Sequence, residues 1–204
     1  MLILALDSCG AGCAAGVWQD GHVIVQKTEA MERGQDARLM PMVVDVLKQA
    51  HRRFSDLDLI AVTRGPGSFT GVRVGLAAAR GLGLAAGKPV IGVDRFTLYH
   101  ALHEGPGKNI LVVINSKRTE LFCRYFPASG VAPEACLMSE AEIKIFLSSH
   151  PDTMVVGDNF SSHEDIIGAC ALCASKADRE NSDFEAKPLY LRAPDVTLPT
   201  AKSR

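Results

Sequence analysis

The sequence has almost no excess of charge of either sign. Its 204 residues carry 22 Lys and Arg against 23 Asp and Glu, a formal net charge of −1. A protein that holds nucleic acid unaided concentrates cations along one face, so this balance gives no electrostatic reason to bind RNA alone. If RNA is the ultimate substrate, a partner holds most of it. Long apolar runs are also missing. The richest stretch, 72–86, is broken by Arg73, Arg80 and several glycines, which leaves no transmembrane span. The first residues, 1–7, show no basic segment ahead of the apolar run and no small-residue cleavage site beyond it. They read as a first strand and not as a signal peptide, so a cytoplasmic location without membrane attachment is expected.

Metal-ligand and redox patterns are sparse. The six cysteines are Cys9, Cys13, Cys123, Cys136, Cys170 and Cys173. Cys170 and Cys173 have a ligand-like spacing, but they lie in an apolar helical run with no second pair at zinc-site distance. They read as reduced, buried thiols acting as small hydrophobes. His100 and His103 can share a helical face, yet only Glu104 stands near them, so no metal site is expected.

What is present is an ordinary globular composition, 47% hydrophobic and 22% charged, in a chain long enough for one domain or two small ones. An apolar run ends at Asp7, and segments 14–19 and 22–27 flank Asp20-Gly21, a strong hairpin signal. A helix is expected over 36–52, with Pro41 bending or restarting its first turn. A strand (57–63), a glycine-rich turn, a helix (70–86), a strand (89–93) and a helix (98–103) follow. The order βββαβαβα matches a ribonuclease-H-like domain with right-handed crossovers. Glu104-Gly105-Pro106-Gly107 is the expected boundary. Beyond it, strands at 110–114 and 120–126 repeat the opening hairpin around a turn at 115–118. Ser139 and Glu142 form a capping box opening a helix to about 149. A strand at 154–156 follows, Ser161–Glu164 can cap another helix, and 176–187 reads as a polar loop. The expected division is 1–104, a smaller 105–196, and a frayed tail at 197–204.

The block from Arg64 to Leu84 carries the most information. It opens Arg64-Gly65-Pro66-Gly67-Ser68-Phe69-Thr70-Gly71, and no Lys follows the glycines, so it is not a Walker loop. Ser68 or Thr70 is placed to cap the helix that follows. Gly71, Gly75, Gly81 and Gly83 lie inside that helix and together cost roughly 3–4 kcal/mol relative to Ala. The recurrence of Gly71, Gly75, Ala79 and Gly83 points to close backbone approach, either within the fold or against another chain. In the first helix, apolar positions cover an arc of roughly 200°, where a surface helix needs little more than about 100°. The excess leaves Met40 and Val44, or else Met42, to be covered by something else.

This block, with the opening Ile3–Ser8 and the late Lys187-Pro188-Leu189-Tyr190-Leu191-Arg192, resembles the TsaB (YeaZ) family over almost the whole chain. The resemblance implies an α/β fold of two tandem ribonuclease-H-like domains of the actin-like ATPase (ASKHA) superfamily, the second shortened. It implies a non-catalytic scaffold or activator subunit that pairs with a TsaD-like catalytic subunit. The complex, with a TsaE-like ATPase, places threonylcarbamoyl on N6 of tRNA adenosine 37, using an adenylate made by TsaC. The expected interface comprises Leu39, Met40, Met42, Val43, Val44 and Leu47 of the first helix and Arg73, Val74, Ala77, Arg80, Gly81 and Leu84 of the second. A homodimer is expected for the chain alone, and tRNA is met only through the complex.

Catalysis by the chain itself is not expected. Asp7 stands where the superfamily places a phosphate-side carboxylate, here vestigial. The matching second position is Asn115, which cannot hold Mg²⁺ as a carboxylate does, and Gly157 is a single glycine where an adenosine site uses a pair. No cofactor is expected, with ATP, if bound at all, held with the partner. A nuclease is disfavoured because the other strand ends offer Thr63, Arg64 and Asp94 without an acidic cluster. A glycoprotease-like metal site is disfavoured because 34–39 contain no His, Gln35 standing where relatives often have one. The alternative is a small-molecule kinase or ATPase of the same superfamily, which ATP binding would distinguish.

Overall fold

The computed structural model describes residues 1–158, 163–178 and 180–191. Its first sheet is built from β1 (Leu2–Asp7), β2 (Gly12–Gln19), β3 (His22–Ala30), β4 (Leu59–Thr63) and β5 (Val90–Val93), in the order β3-β2-β1-β4-β5. The hairpin strands run antiparallel to β1, and β4 and β5 run parallel to it. Alternation in β1 divides the core. Leu2, Leu4 and Leu6 face one layer, holding α1 (Gln35–Gln49) and α2 (Phe69–Ala86); Ile3 and Ala5 face the other. That second layer holds α3 (Arg95–His103) and α5 (His163–Lys176).

The second sheet comprises β6 (Asn109–Ile114), β7 (Glu120–Phe126), β8 (Cys136–Ser139) and β9 (Thr153–Gly157), in the order β8-β7-β6-β9. Its connectivity repeats β3-β2-β1-β4 strand for strand, with α4 (Glu140–Ser149) standing where α1 stands in the first sheet. Ile110, Val112, Ile114 and Val156 join the core shared with α3 and α5, while α4 covers Leu111 and Cys123 on the opposite face.

Several expectations are corrected. α1 runs from Gln35 to Gln49 with the exposed Pro41 inside it, so the helix does not restart there. α3 begins three residues early, because Asp94 caps it by accepting from the Thr97 N–H at 2.9 Å and its hydroxyl at 2.8 Å. β8 was not foreseen, being four residues long after a loop with two prolines. The division at Glu104 separates segments that pack together. Ile166, Ile167, Cys170, Ala171 and Ala174 of α5 lie in one core with Ile3, Ala5 and Trp18. Past a short 3₁₀ turn at Ser182–Phe184, Glu185 bridges Ile91, and the Leu189 N–H donates to the Arg64 carbonyl at 2.9 Å. The expected cap at Ser161–Ser162, the Arg192 end of the late motif and the tail at 197–204 lie outside the described residues.

α2 shows why its glycines are where they are. Ser68 caps it by accepting from the Gly71 N–H. A Cβ on Gly71 would stand 1.9 Å from the Ser8 carbonyl oxygen, one on Gly75 would stand 2.6 Å from Ser8 Oγ, and one on Gly83 would stand 2.3 Å from a Val90 methyl. The small-residue stripe therefore packs within its own fold. Gly81, on the other side, meets nothing within 4 Å. Gly81→Ala is expected to stabilise the chain by up to about 1 kcal/mol through helix propensity. Gly71→Ala, blocked by backbone that cannot swing aside, should lose about 1–3 kcal/mol or more. Urea unfolding of the two variants tests the pair, and equal effects would contradict this packing.

Candidate functional site

In open α/β sheets ligand sites gather outside the carboxyl ends of parallel strands. Here those ends bring together Asp7 at the end of β1, Thr63 at the end of β4, Asp94 and Arg95 after β5, Asn115 after β6, and Asp158 after β9.

Asp7 is fully buried. Its Oδ1 accepts from the Thr63 hydroxyl and from the Cys9 N–H at 3.1 Å, while Oδ2 has no hydrogen-bond partner. The turn beyond it is sealed by the entry to α2. The Ser68 N–H donates to the Cys9 carbonyl at 2.8 Å, and the Ser8 hydroxyl donates to the Gly71 carbonyl at 2.7 Å. A Cβ on Gly67 would stand 2.3 Å from the Cys9 oxygen, so only glycine lets the two segments meet. Burial, and then Asp7, push the Cys9 thiol up to about 12, which keeps it almost wholly protonated near neutral pH.

The central charge is one that the sequence did not reveal. Arg95 is 1% exposed and forms an ion pair with Asp158 across the two sheets. The same guanidinium donates to the Tyr99 hydroxyl at 2.9 Å and the Pro66 carbonyl at 3.3 Å. The Tyr99 hydroxyl donates to Asp158 Oδ1 at 2.7 Å, and the Asn115 N–H donates to Oδ2 at 3.0 Å. Burial opposes the Arg95 charge, but Asp158, with Tyr99 and Asp7, outweighs it and holds the guanidinium above its ordinary range. Burial first, then Asp158, raises the Tyr99 phenol. The Asn115 side chain is occupied locally, its Oδ1 accepting from the Lys117 N–H at 2.6 Å. The signal available in sequence was Asp94 with Thr97, a cap that would have placed Arg95 in the first turn of α3.

The expected interface residues separate into two sets. Leu39, Met42, Val43 and Leu47 are buried against the chain's own first sheet, which corrects their assignment to a surface. Met40 and Val44 are exposed on α1, Val44 by 53%. On α2, Arg73, Ala77, Arg80, Gly81 and Leu84 are exposed, Leu84 by 88%, and Val74 is half-buried. The two arginines also act within the chain. Arg73 lies over the Phe69 ring and donates to the Tyr190 hydroxyl at 3.1 Å, and Arg80 donates to the Ala186 carbonyl. They hold segment 185–191 across α2. Gln35 is buried, its amide donating to the Met31 carbonyl at 3.5 Å. His100 stacks on Phe126 at 4.2 Å and lies 3.8 Å from Glu104. Among the described residues, no three His, Cys, Asp or Glu side chains form a group that could hold a metal ion.

The Arg95–Asp158 pair makes an asymmetric prediction. Asp158→Ala strands a guanidinium that water cannot reach and should cost about 3–5 kcal/mol. Arg95→Met leaves a carboxylate already 23% exposed on its side chain, and an apolar side chain in the vacated space, so the loss should be smaller. Denaturant unfolding of both variants tests the order, and a reversed order would remove Arg95 from the centre of this network.

Comparison with known proteins agrees with this architecture. The family model described as "TsaD: tRNA N6-adenosine threonylcarbamoyltransferase" matches residues 26–132. The chain is 36% identical over 124 residues to the tRNA threonylcarbamoyladenosine biosynthesis protein TsaB of Escherichia coli (strain K12), covering 60% of this chain and 53% of that protein. It is 32% identical over 126 residues to the TsaB protein of Haemophilus influenzae, covering 60% and 52%. The matched stretch thus spans about half the length of these curated relatives. The solved structure of YeaZ from Pseudomonas aeruginosa is similar in fold, with a TM-score of 0.69 at 21% identity over 93% of this chain and 99% of that one. On the family match and these relatives together, the chain belongs to the TsaD family of proteins, in its TsaB/YeaZ branch.

Proposed function

We propose that the chain serves tRNA threonylcarbamoyladenosine biosynthesis as a non-catalytic subunit that pairs with a TsaD-type transferase. The observation that carries this is the face shared by α1 and α2. Met40 and Val44 on one helix, and Ala77, Gly81 and Leu84 on the other, remain exposed although the first sheet buries Leu39, Met42, Val43, Val46 and Leu47 of the one and Val72, Leu76 and Ala79 of the other. An apolar patch on two rigid adjoining helices is the kind of surface a protein partner covers. The likeness to TsaB proteins supports the biosynthetic role.

The strand-end cluster supports the non-catalytic part. Asp7 is sealed beneath α2, Asn115 caps its own turn, and Asp158 is neutralised by Arg95. In this reading the two sheets are tandem ribonuclease-H-like units of the actin-like superfamily, with α5 returned to the first. A TsaE-type ATPase joins the complex in the cytoplasm, tRNA is engaged only through it, and alone the chain covers its face by forming a homodimer.

Val44→Asp combined with Leu84→Asp tests the pairing without touching either arginine's internal contacts. Both positions are solvent-exposed, so the melting midpoint should correspond to within about 0.5 kcal/mol of the parent. Capture of the TsaD-type subunit and self-association in sedimentation should both be lost. A variant that still captures that subunit as the parent does, or that melts well below it, overturns the assignment of this face. Calorimetry with ATP tests the other half of the proposal: a dissociation constant near about 1 μM would restore an intrinsic nucleotide site.

A further inference from the structure

Outside the strand-end cluster and the α1–α2 face, the second sheet carries a cysteine pair. Cys123 of β7 and Cys136 of β8 are register partners in an antiparallel ladder. Residues directly opposite in such a ladder have Cα atoms about 4.5–5.5 Å apart, within the roughly 4.4–6.8 Å that a disulfide spans. Opposed residues point to the same side of a sheet. Leu121 and Met138, the next pair on that side, both pack against the cluster of Leu111, Cys123 and Ile143 beneath α4, so the two thiols share that face. Cys123 is buried there, whereas Cys136 is exposed.

The position of Cys136 makes closure feasible. It is the first residue of an edge strand and follows the loop 127–135. A strand end attached to a loop can move a few tenths of an ångström toward its neighbour without disturbing the core. The remaining cysteines have no such arrangement. Cys9, Cys13 and Cys170 are buried, and Cys170 and Cys173 lie on one helix, α5.

We propose that Cys123 and Cys136 form a thiol–disulfide exchange site for small-molecule disulfides of the glutathione class. The exposed Cys136 thiolate attacks one sulfur of the oxidant, forming a mixed disulfide and releasing one small thiol. Cys123, deprotonated, then attacks the Cys136 sulfur and releases the second. Two protein thiols and one small disulfide become one protein disulfide and two small thiols. The two protein protons end on the two departing thiolates, and the protein sulfurs lose the two electrons that the oxidant gains. Burial, and then the neighbouring Cys136, push the Cys123 thiol up to about 12, and burial followed by Glu142 raises Cys136. Thiolate is therefore scarce near neutral pH, so exchange is slow there and quickens as pH rises. The product closes residues 124–135, including the exposed Val131, into a loop tied to the sheet.

The test uses the full chain and oxidised glutathione, followed by tryptic mapping without reductant. The expected product links peptide 119–124 to peptide 125–144 with the loss of two hydrogen masses, and it raises the melting temperature over the reduced protein. Cys136→Ser, a change at an exposed position, should abolish both the link and the rise. Cys123→Ala should leave a glutathione adduct on Cys136 that persists. The proposal is overturned by a lasting adduct on Cys136 in the parent protein, by an oxidised parent that pairs other cysteines, or by one that remains wholly reduced.

Discussion

A guanidinium removed from water must find both its counter-charge and its hydrogen bonds inside the protein, and Arg95 finds them across the gap between two sheets. Desolvating such a pair costs several kcal/mol per ion, recovered only when geometry and additional hydrogen bonds are good. That requirement fixes several elements relative to one another. Asp158 follows β9, Tyr99 lies one turn along α3, Pro66 belongs to the loop that enters α2, and Asn115 follows β6. Displacing any of them leaves a buried polar group without its partner. The satisfaction is incomplete even so, since Arg95 Nε and Asp7 Oδ2 are both buried without a hydrogen bond. Such groups typically cost about 1–3 kcal/mol each, so the region stores unfavourable energy that the surrounding apolar core must offset.

α2 shows one sequence meeting two demands. Its inner side is built of Gly71, Gly75, Ala79 and Gly83, which lets helix backbone approach the turn after β1 and the side chain of Val90. Its outer side keeps Arg73, Ala77, Arg80, Gly81 and Leu84 exposed. The inner glycines explain three of the four propensity penalties. The fourth, Gly81, touches nothing in the described chain, and on the proposed pairing its lack of a side chain would let a second helix lie close.

Much of this could be read from the residues. Asp20-Gly21 marked the hairpin, and the capping box at Ser139 marked α4. The wide arc on α1 was legible as an excess, but which side of it faces the sheet was not. Periodicity gives the width of a stripe, while its orientation depends on where β1 and β2 lie in space, and those came to cover Leu39, Met42, Val43 and Leu47. The return of α5 to the first sheet was hidden for a related reason. Its alanines and cysteines could line any core, and only the distant β1 and β2 complete the contact. Arg95 was illegible as a buried residue because arginine is seldom buried unless paired, and its partner lies 63 residues away.

The repetition of β3-β2-β1-β4 in β8-β7-β6-β9 makes Asp7 and Asn115 counterparts, the one ending β1 and the other following β6. In a cleft built for a ligand, both positions would direct a side chain outward between the sheets. Here both are turned to internal use by different means. Asp7 is enclosed because Gly67 and Gly71 allow α2 to lie directly on the carbonyls of Ser8 and Cys9. Asn115 folds its amide oxygen onto the Lys117 N–H and gives only its own N–H to Asp158. A Cβ on Gly157 would stand 1.8 Å from the Val113 carbonyl oxygen, so the end of β9 is likewise packed directly on β6. Each half has thus closed its own strand end, and Arg95, reaching from the first to the second, closes the space between them.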